Sequence, residues 1–246
     1  MNPTIQVIKN HRSIRSFLDK DLPADTLQAI IDAAQAMPTS INGQQVSLVI
    51  VRDKATRSKL AELCGGQPWV AAAPVFILFV ADFYKTSLAA EISGRTQVIH
   101  ESAEGGLVGI LDSGIAMGGA IVAAESMGLG IVPIGGIRLH AEEVIKLLNL
   151  PKYTFPVNGL CIGYPADTSK LKPRLPQATF AHYEKYDTSK LVANIKDYDA
   201  TMESYLATIN RTEEGNWSKH TSNIYQRVYF PNIKPTMTEQ GLLHDK

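Results

Sequence analysis

Leu27, Ile30, Ile31 and Ala34 recur at i, i+3, i+4 and i+7, which puts one apolar face on a helix predicted from about Ala24 to Ala36. Ahead of it, Asn2 and Pro3 open a first helix to about Asn10, since proline at the first helical position gives up an N–H that has no partner there. Pro38-Thr39-Ser40-Ile41-Asn42-Gly43 breaks the second helix. Val46 to Arg52 reads as a strand, and Asp53 caps a helix that turns Leu60 and Leu63 inward and stops at Gly65-Gly66-Gln67-Pro68.

The run Pro74 to Ala81, PVFILFVA, has strand length and no polar side, so burial on both faces is predicted. Residues 83–104 are polar and mixed, and read as a mobile excursion with partial helix. Gly106 to Met127 is helix-length and apolar nearly all round, yet it carries Gly109, Gly114, Gly118 and Gly119. Each interior glycine costs roughly 0.5–1 kcal/mol against alanine, so something is expected to approach this backbone closely, such as a helix of a partner subunit. Asp112 and Glu125 divide the apolar region into stretches short of the ~20 residues of a membrane span, which predicts a core helix.

Gly130 to Gly136 reads as a short strand entering a glycine turn, Ala141 to Leu150 as a helix with Val144, Leu147 and Leu148 inward, and Val157 to Gly163 as a buried strand. After Tyr164 the pattern changes. Residues 177–246 are Tyr-rich and charged without long apolar runs, which predicts a segment with no core of its own that wraps over the body or another chain. The order is α+β: a core over residues 1–182 and an extension over 183–246, not an independent domain.

The 246 residues hold 24 Lys+Arg and 24 Asp+Glu, a net charge of zero. That argues against a surface built to coat nucleic acid or anionic membrane. Cys64 and Cys161 stand in no CxxC or Cys/His cluster, so reduced thiols in a cytoplasmic protein are expected, without structural zinc. The opening MNPTIQVIKNHRS has no apolar run long enough for a signal peptide, so the mature chain is expected to begin at Met1. There is no GxGxxG, Walker loop or GxSxG, and His100-Glu101-Ser102-Ala103-Glu104 has Glu where a zinc helix needs its second His.

What remains suits a planar ligand bearing a phosphate. His11, Arg12 and Arg15 crowd one turn around Ser13, a repulsive arrangement unless an anion sits there or the loop is simply solvated. Lys172-Pro173-Arg174 is a second basic patch open to the same two readings. Ile134-Gly135-Gly136 offers backbone to a flat ligand or forms a tight turn, and Thr39, Ser40, Asn42, Gln44 and Gln67 offer hydrogen bonds to a heteroaromatic edge or serve as turn residues.

The chain resembles the flavin-dependent nitroreductase superfamily, specifically its NADPH-preferring, oxygen-insensitive nitroreductases and NADPH:FMN oxidoreductases. The resemblance rests on His11-Arg12-Ser13-Ile14-Arg15-Ser16-Phe17, Gly65-Gly66-Gln67, Ala124 through Gly130, Ile134-Gly135-Gly136-Ile137-Arg138, Gly159 through Ala166, and Lys172 through Pro176. It implies a mixed central sheet wrapped by helices in an intertwined homodimer, with FMN at the dimer interface. It further implies that His11, Arg12, Ser13, Lys172 and Arg174 surround the FMN phosphate. Thr39, Ser40 and Gln67 would meet the ribityl chain and ring edge, and Ile134, Gly135 and Gly136 would supply backbone at the ring. Arg15 and Arg138 would face the ring or the incoming NADPH phosphate, and Arg15, Arg138 and Arg211 are the candidates for NADPH.

The implied reaction is ping-pong: hydride passes from NADPH to FMN and then to a nitroaromatic, quinone, free flavin or metal oxyanion, with no catalytic side chain. The second loop departs from the family pattern with Pro38, Ile41, Asn42 and Gly43, and Arg211 stands beside Glu213 and Glu214. The alternative is a flavin-binding carrier or sensor without turnover. A Rossmann dehydrogenase is disfavoured by its missing glycine fingerprint.

Overall fold

The computed structural model describes residues 2–243; Met1 and residues 244–246, the end of the expected extension, lie outside the described residues. These fall into two compact units, one of residues up to Ser169 together with those from Asn232 on, the other Lys170–Pro231. The division comes at Ser169, ahead of the compositional boundary at 182/183, and the chain from Asn232 rejoins the first unit.

In the first unit, α1 (Pro3–Lys9) starts where the Asn2 side chain accepts the Thr4 N–H at 2.9 Å. Helix α2 (Ala24–Gln35) buries Leu27, Ile30 and Ala34, the stripe its periodicity predicts. Strand β1 (Val46–Val51) leads to α3 (Lys54–Leu63), capped by Asp53, and α4 (Pro68–Ala72) precedes β2 (Val75–Asp82). Every residue of β2 is buried, as an uninterrupted apolar run requires of a strand covered on both faces.

Helix α5 (Tyr84–Ile92) is a helical part of the stretch 83–104, which was expected to be a mobile excursion with partial helix. Its apolar residues are not confined to one face, so periodicity gives little sign of it. Helix α6 (Ala103–Ser126) is followed by β3 (Gly130–Ile134), α7 (Ala141–Leu147), β4 (Thr154–Gly163) and, after the second unit, α10 (Ile233–Glu239). The label α10 follows α8 (Leu191–Thr208) and α9 (Trp217–Tyr225) of the second unit.

The sheet runs β1-β2-β4-β3 with every neighbouring pair antiparallel. The implied mixed sheet is corrected here: among the described residues, parallel pairing is confined to an isolated bridge between Ser13 and Ile131. One face packs Leu60, Val70, Phe76, Leu78 and Ile137 together; the other packs α2 and α6 through Ile30, Ile77, Phe79, Ala120 and Leu160.

Helix α6 is long and apolar enough to cross a membrane by length and composition. Its middle nevertheless carries buried Asp112, bound to two groups of this chain, and Ala116, Ala120 and Ala124 pack in the core. It ends at Gly128, φ +77°, where Gly128 N–H donates to Glu125 and Leu129 N–H to Ala124, the paired bonds of a left-handed helix stop. Its glycines divide into two kinds. Cβ atoms on Gly109 and Gly119 would press on Phe83 and Met37 of this chain, whereas Gly114 and Gly118 face open space.

The second unit has a small core, contrary to the expectation that residues 177–246 form none. Tyr198, Met202 and Leu206 of α8 are buried, with Leu175, Tyr205, Ile209 and Trp217 packed against them. The Asn216 side chain caps α9 by accepting the Lys219 N–H at 3.0 Å.

Candidate functional site

The segment after α1 is stitched to the sheet. Ile14 N–H donates to Ile131 O at 2.8 Å, and Leu18 N–H to Tyr164 O at 2.9 Å, so His11 through Phe17 runs beside β3 and the end of β4. This brings the first basic cluster onto rigid backbone.

Within the cluster, His11 Nδ1 lies 2.7 Å from Glu125 Oε1, at the last turn of α6. In the sequence Glu125 was a charge interrupting an apolar helix and a member of the Ala124–Gly130 motif; the structure makes it the partner of His11. The repulsion expected of the basic turn is therefore relieved in part from inside the chain. Glu125 offsets only part of the positive charge that His11, Arg12 and Arg15 can carry, which leaves the turn suited to a phosphate monoester of charge about −1.5 to −2.

Arg12 Nε is buried and has no hydrogen-bond partner, and so is Glu125 Oε2. Both residues line a cavity of about 450 Å³ with Asn10, Gly128, Gly130, Asp167 and others. A buried guanidinium N–H without an acceptor is expensive, and a phosphate oxygen is a charged acceptor that would satisfy it.

Gln67, Gly136 and Arg15 share one neighbourhood. Gln67 Nε2 donates to Cys64 O at 2.8 Å, and a Cβ on Gly136 would lie 2.5 Å from Gln67 Nε2 and 2.7 Å from Cys64 O. Arg15 places its guanidinium 5.5 Å from the centre of the Trp69 ring, in the helix that Gln67 precedes. The Trp69 indole N–H is buried and unpartnered, a second orphaned donor that the sequence reading missed. Ile134 is fully buried at the end of β3.

The tight-turn reading of the glycines has a packing basis. Gly136 is needed because Gln67 and Cys64 fill the space of its side chain, and a Cβ on Gly135 would lie 3.2 Å from the Arg138 guanidinium. Arg138 folds back on its own unit, donating to Val157 O at 2.5 Å, and lines a cavity of about 370 Å³ with Asn158 and Phe155.

Thr39 and Ser40 are held elsewhere. Ser40 N–H donates to Asp112 Oδ2 at 3.0 Å, Thr39 Oγ1 accepts the Gln44 N–H at 3.1 Å, and Thr39 lines a separate cavity of about 510 Å³ with Met37, Asn42 and Lys85. Within one chain they do not join the Arg12 cavity.

Lys172, Arg174 and Arg211 belong to the second unit. Lys172 and Arg174 are exposed, Arg174 turns back to donate to Lys172 O at 3.2 Å, and between them Pro173 O accepts the Tyr198 hydroxyl at 2.8 Å. Arg211 is ion-paired with Glu214. Burial pushes the Cys64 thiol up to about 12 and the Cys161 thiol further still, so neither is a nucleophile. Among the described residues no group of three or more His, Cys, Asp or Glu is arranged to hold a metal ion.

Comparison with known proteins agrees over the whole chain. The model of the Nitroreductase family matches residues 8–164, and that of the Nitroreductase family C-terminal domain matches residues 172–245. A Bacillus subtilis (strain 168) protein, FMN reductase [NAD(P)H], is 46% identical over 100% of both chains. An oxygen-insensitive NADPH nitroreductase of Salmonella typhimurium is 39% identical over 98% of both. The solved structure of B. megaterium NfrA2 superposes with a TM-score of 0.97 at 45% identity, covering 100% of both chains.

Proposed function

Because this chain belongs to the nitroreductase family, we propose that it is an FMN-dependent NAD(P)H oxidoreductase that reduces nitroaromatics, quinones, free flavin or metal oxyanions in a ping-pong cycle. Arg12 carries this reading. Its buried Nε has no hydrogen-bond acceptor in the chain, and the FMN phosphate would supply one.

When bound, FMN supplies the redox chemistry, taking hydride from the nicotinamide and passing electrons to the acceptor, so no protein acid, base or nucleophile is needed. The residues of the first unit fit such a group. Arg12 and His11, the latter held by Glu125, would take the phosphate with Ser13. Gln67 and the Ile134-Gly135-Gly136 turn would meet the ring, with Arg15 in the same neighbourhood through Trp69. Lys172 and Arg174 keep a phosphate role on the resemblance, as exposed cations of their own unit.

The protein acts as a homodimer in this account. Leu107, Ile110 and Leu111 of α6 are 67%, 47% and 64% exposed, an apolar surface on a core helix that a second copy would cover. Thr39, next to Ser40, lines a different cavity from Arg12 in one chain, and FMN lying between two copies would unite them. We place the enzyme in the cytoplasm, where its two cysteines stay reduced.

A steady-state panel of acceptors, run with NADPH and NADH side by side on FMN-loaded protein, tests the reading. Turnover that depends on added FMN supports it. An FMN-binding protein inert toward every acceptor would be a carrier instead.

A further inference from the structure

We propose that Asp112 is a positioning residue of the flavin site, its buried carboxylate clamping the Thr39–Gln44 loop in the conformation that presents Thr39 and Ser40. The inference rests on those two residues being FMN contacts.

A carboxylate in the middle of an apolar helix, 3% exposed, is costly unless donors satisfy it. Asp112 takes both of its hydrogen bonds from one side: Oδ2 accepts the Ser40 N–H at 3.0 Å and Gln45 Nε2 at 2.5 Å. Among the described residues no cation pairs with it. The carboxylate is thus committed to the loop.

The loop needs such a hold. Ile41, Asn42 and Gln44 all stand in the left-handed region, with φ of 50°, 55° and 52°, where a β-branched residue such as Ile41 is strained. Ile41 is 97% exposed, so no packing of its own side chain keeps it there. What does hold the loop lies at its base. Gln45 is buried, its backbone O accepts the Asp82 N–H at 2.9 Å, and a Cβ on Gly43 would overlap Gln45 Oε1. Gln45 therefore ties the loop to the sheet while its amide reaches α6, and Asp112 closes the connection to Ser40. With a strained tip and two donors on one oxygen of a buried carboxylate, removing that oxygen frees the loop to relax.

Asp112→Ala and Gln45→Met cut the clamp from its two ends. Amide hydrogen exchange of residues 39–44 in FMN-free protein is expected to accelerate about tenfold or more in both. FMN titration is expected to give a dissociation constant raised about tenfold. Asp112→Asn, which keeps a carbonyl oxygen for both donors, should restore most of both properties. Folded Asp112→Ala protein with unchanged loop exchange and unchanged FMN affinity overturns the proposal. If that variant fails to fold, the same two measurements on Gln45→Met decide it. A wild-type protein that binds no FMN overturns the functional reading, while loop exchange in FMN-free protein still reports on the clamp.

Discussion

Glu125 Oε1 stands 2.7 Å from His11 Nδ1, joining the end of the central helix to the basic turn 114 positions earlier in the chain. The carboxylate fixes which ring nitrogen of His11 faces inward and leaves the other for a ligand. Replacing Glu125 by Ala is expected to weaken FMN binding by about three- to tenfold, because His11 loses its orientation. Glu125→Gln, which still accepts the Nδ1 proton, should lose less. Fluorescence titration of FMN separates the two variants.

Removing strain at the loop tip should stabilise the protein. Ile41→Gly trades a left-handed β-branched residue, a cost of about 1–2 kcal/mol, for the extra chain entropy of glycine, about 0.5–1 kcal/mol. A net gain of about 0.5–1 kcal/mol is expected from urea denaturation. A loss would mean that the exposed Ile41 side chain is covered by a partner in solution.

Asp53 gives a pH signature. Its carboxylate accepts the Thr56 N–H and Thr56 Oγ1, both at 2.7 Å, and these bonds hold it below the usual carboxylate range. A depressed folded value means stability that is fully present above the unfolded pKa near 3.9 and lost as pH falls through the folded value. Asp53→Ala should therefore lower the urea midpoint at neutral pH, and its deficit should shrink steadily below about pH 4. A deficit independent of pH would assign the effect to something other than the charge.

Cys64 and Cys161 are both buried, and burial holds the Cys64 thiol at about 12 and Cys161 higher. At mildly alkaline pH neither presents a thiolate, so iodoacetamide should label neither in the folded protein and both in urea. Mass spectrometry of intact protein reads the result directly.

Helix starts and buried strands were legible because they depend on local signals: Asn2 and Asp53 as caps, the stripe Leu27, Ile30, Ala34, the unbroken run of β2. Strand direction has no periodicity of its own, so the antiparallel order β1-β2-β4-β3 was not readable. The small core of the second unit was readable in principle. Tyr198, Met202 and Leu206 fall at i, i+4 and i+8, a helical stripe hidden only by the charged residues around it. The basic cluster was found, while its partner Glu125, the clamp Asp112 and the orphaned Trp69 N–H were not, since each gains its role through a fold contact distant in sequence. Gly136 was singled out as backbone for a ligand or as a tight turn, and packing alone already requires glycine there, since Gln67 and Cys64 fill the space beside it.

Anaerobic addition of NADPH to the FMN-loaded protein tests the central claim most directly. Rapid loss of the flavin's visible absorbance, followed by its return on adding a nitroaromatic or quinone, is the predicted result. Colour that persists in excess NADPH, or FMN that the protein cannot retain, would contradict the account.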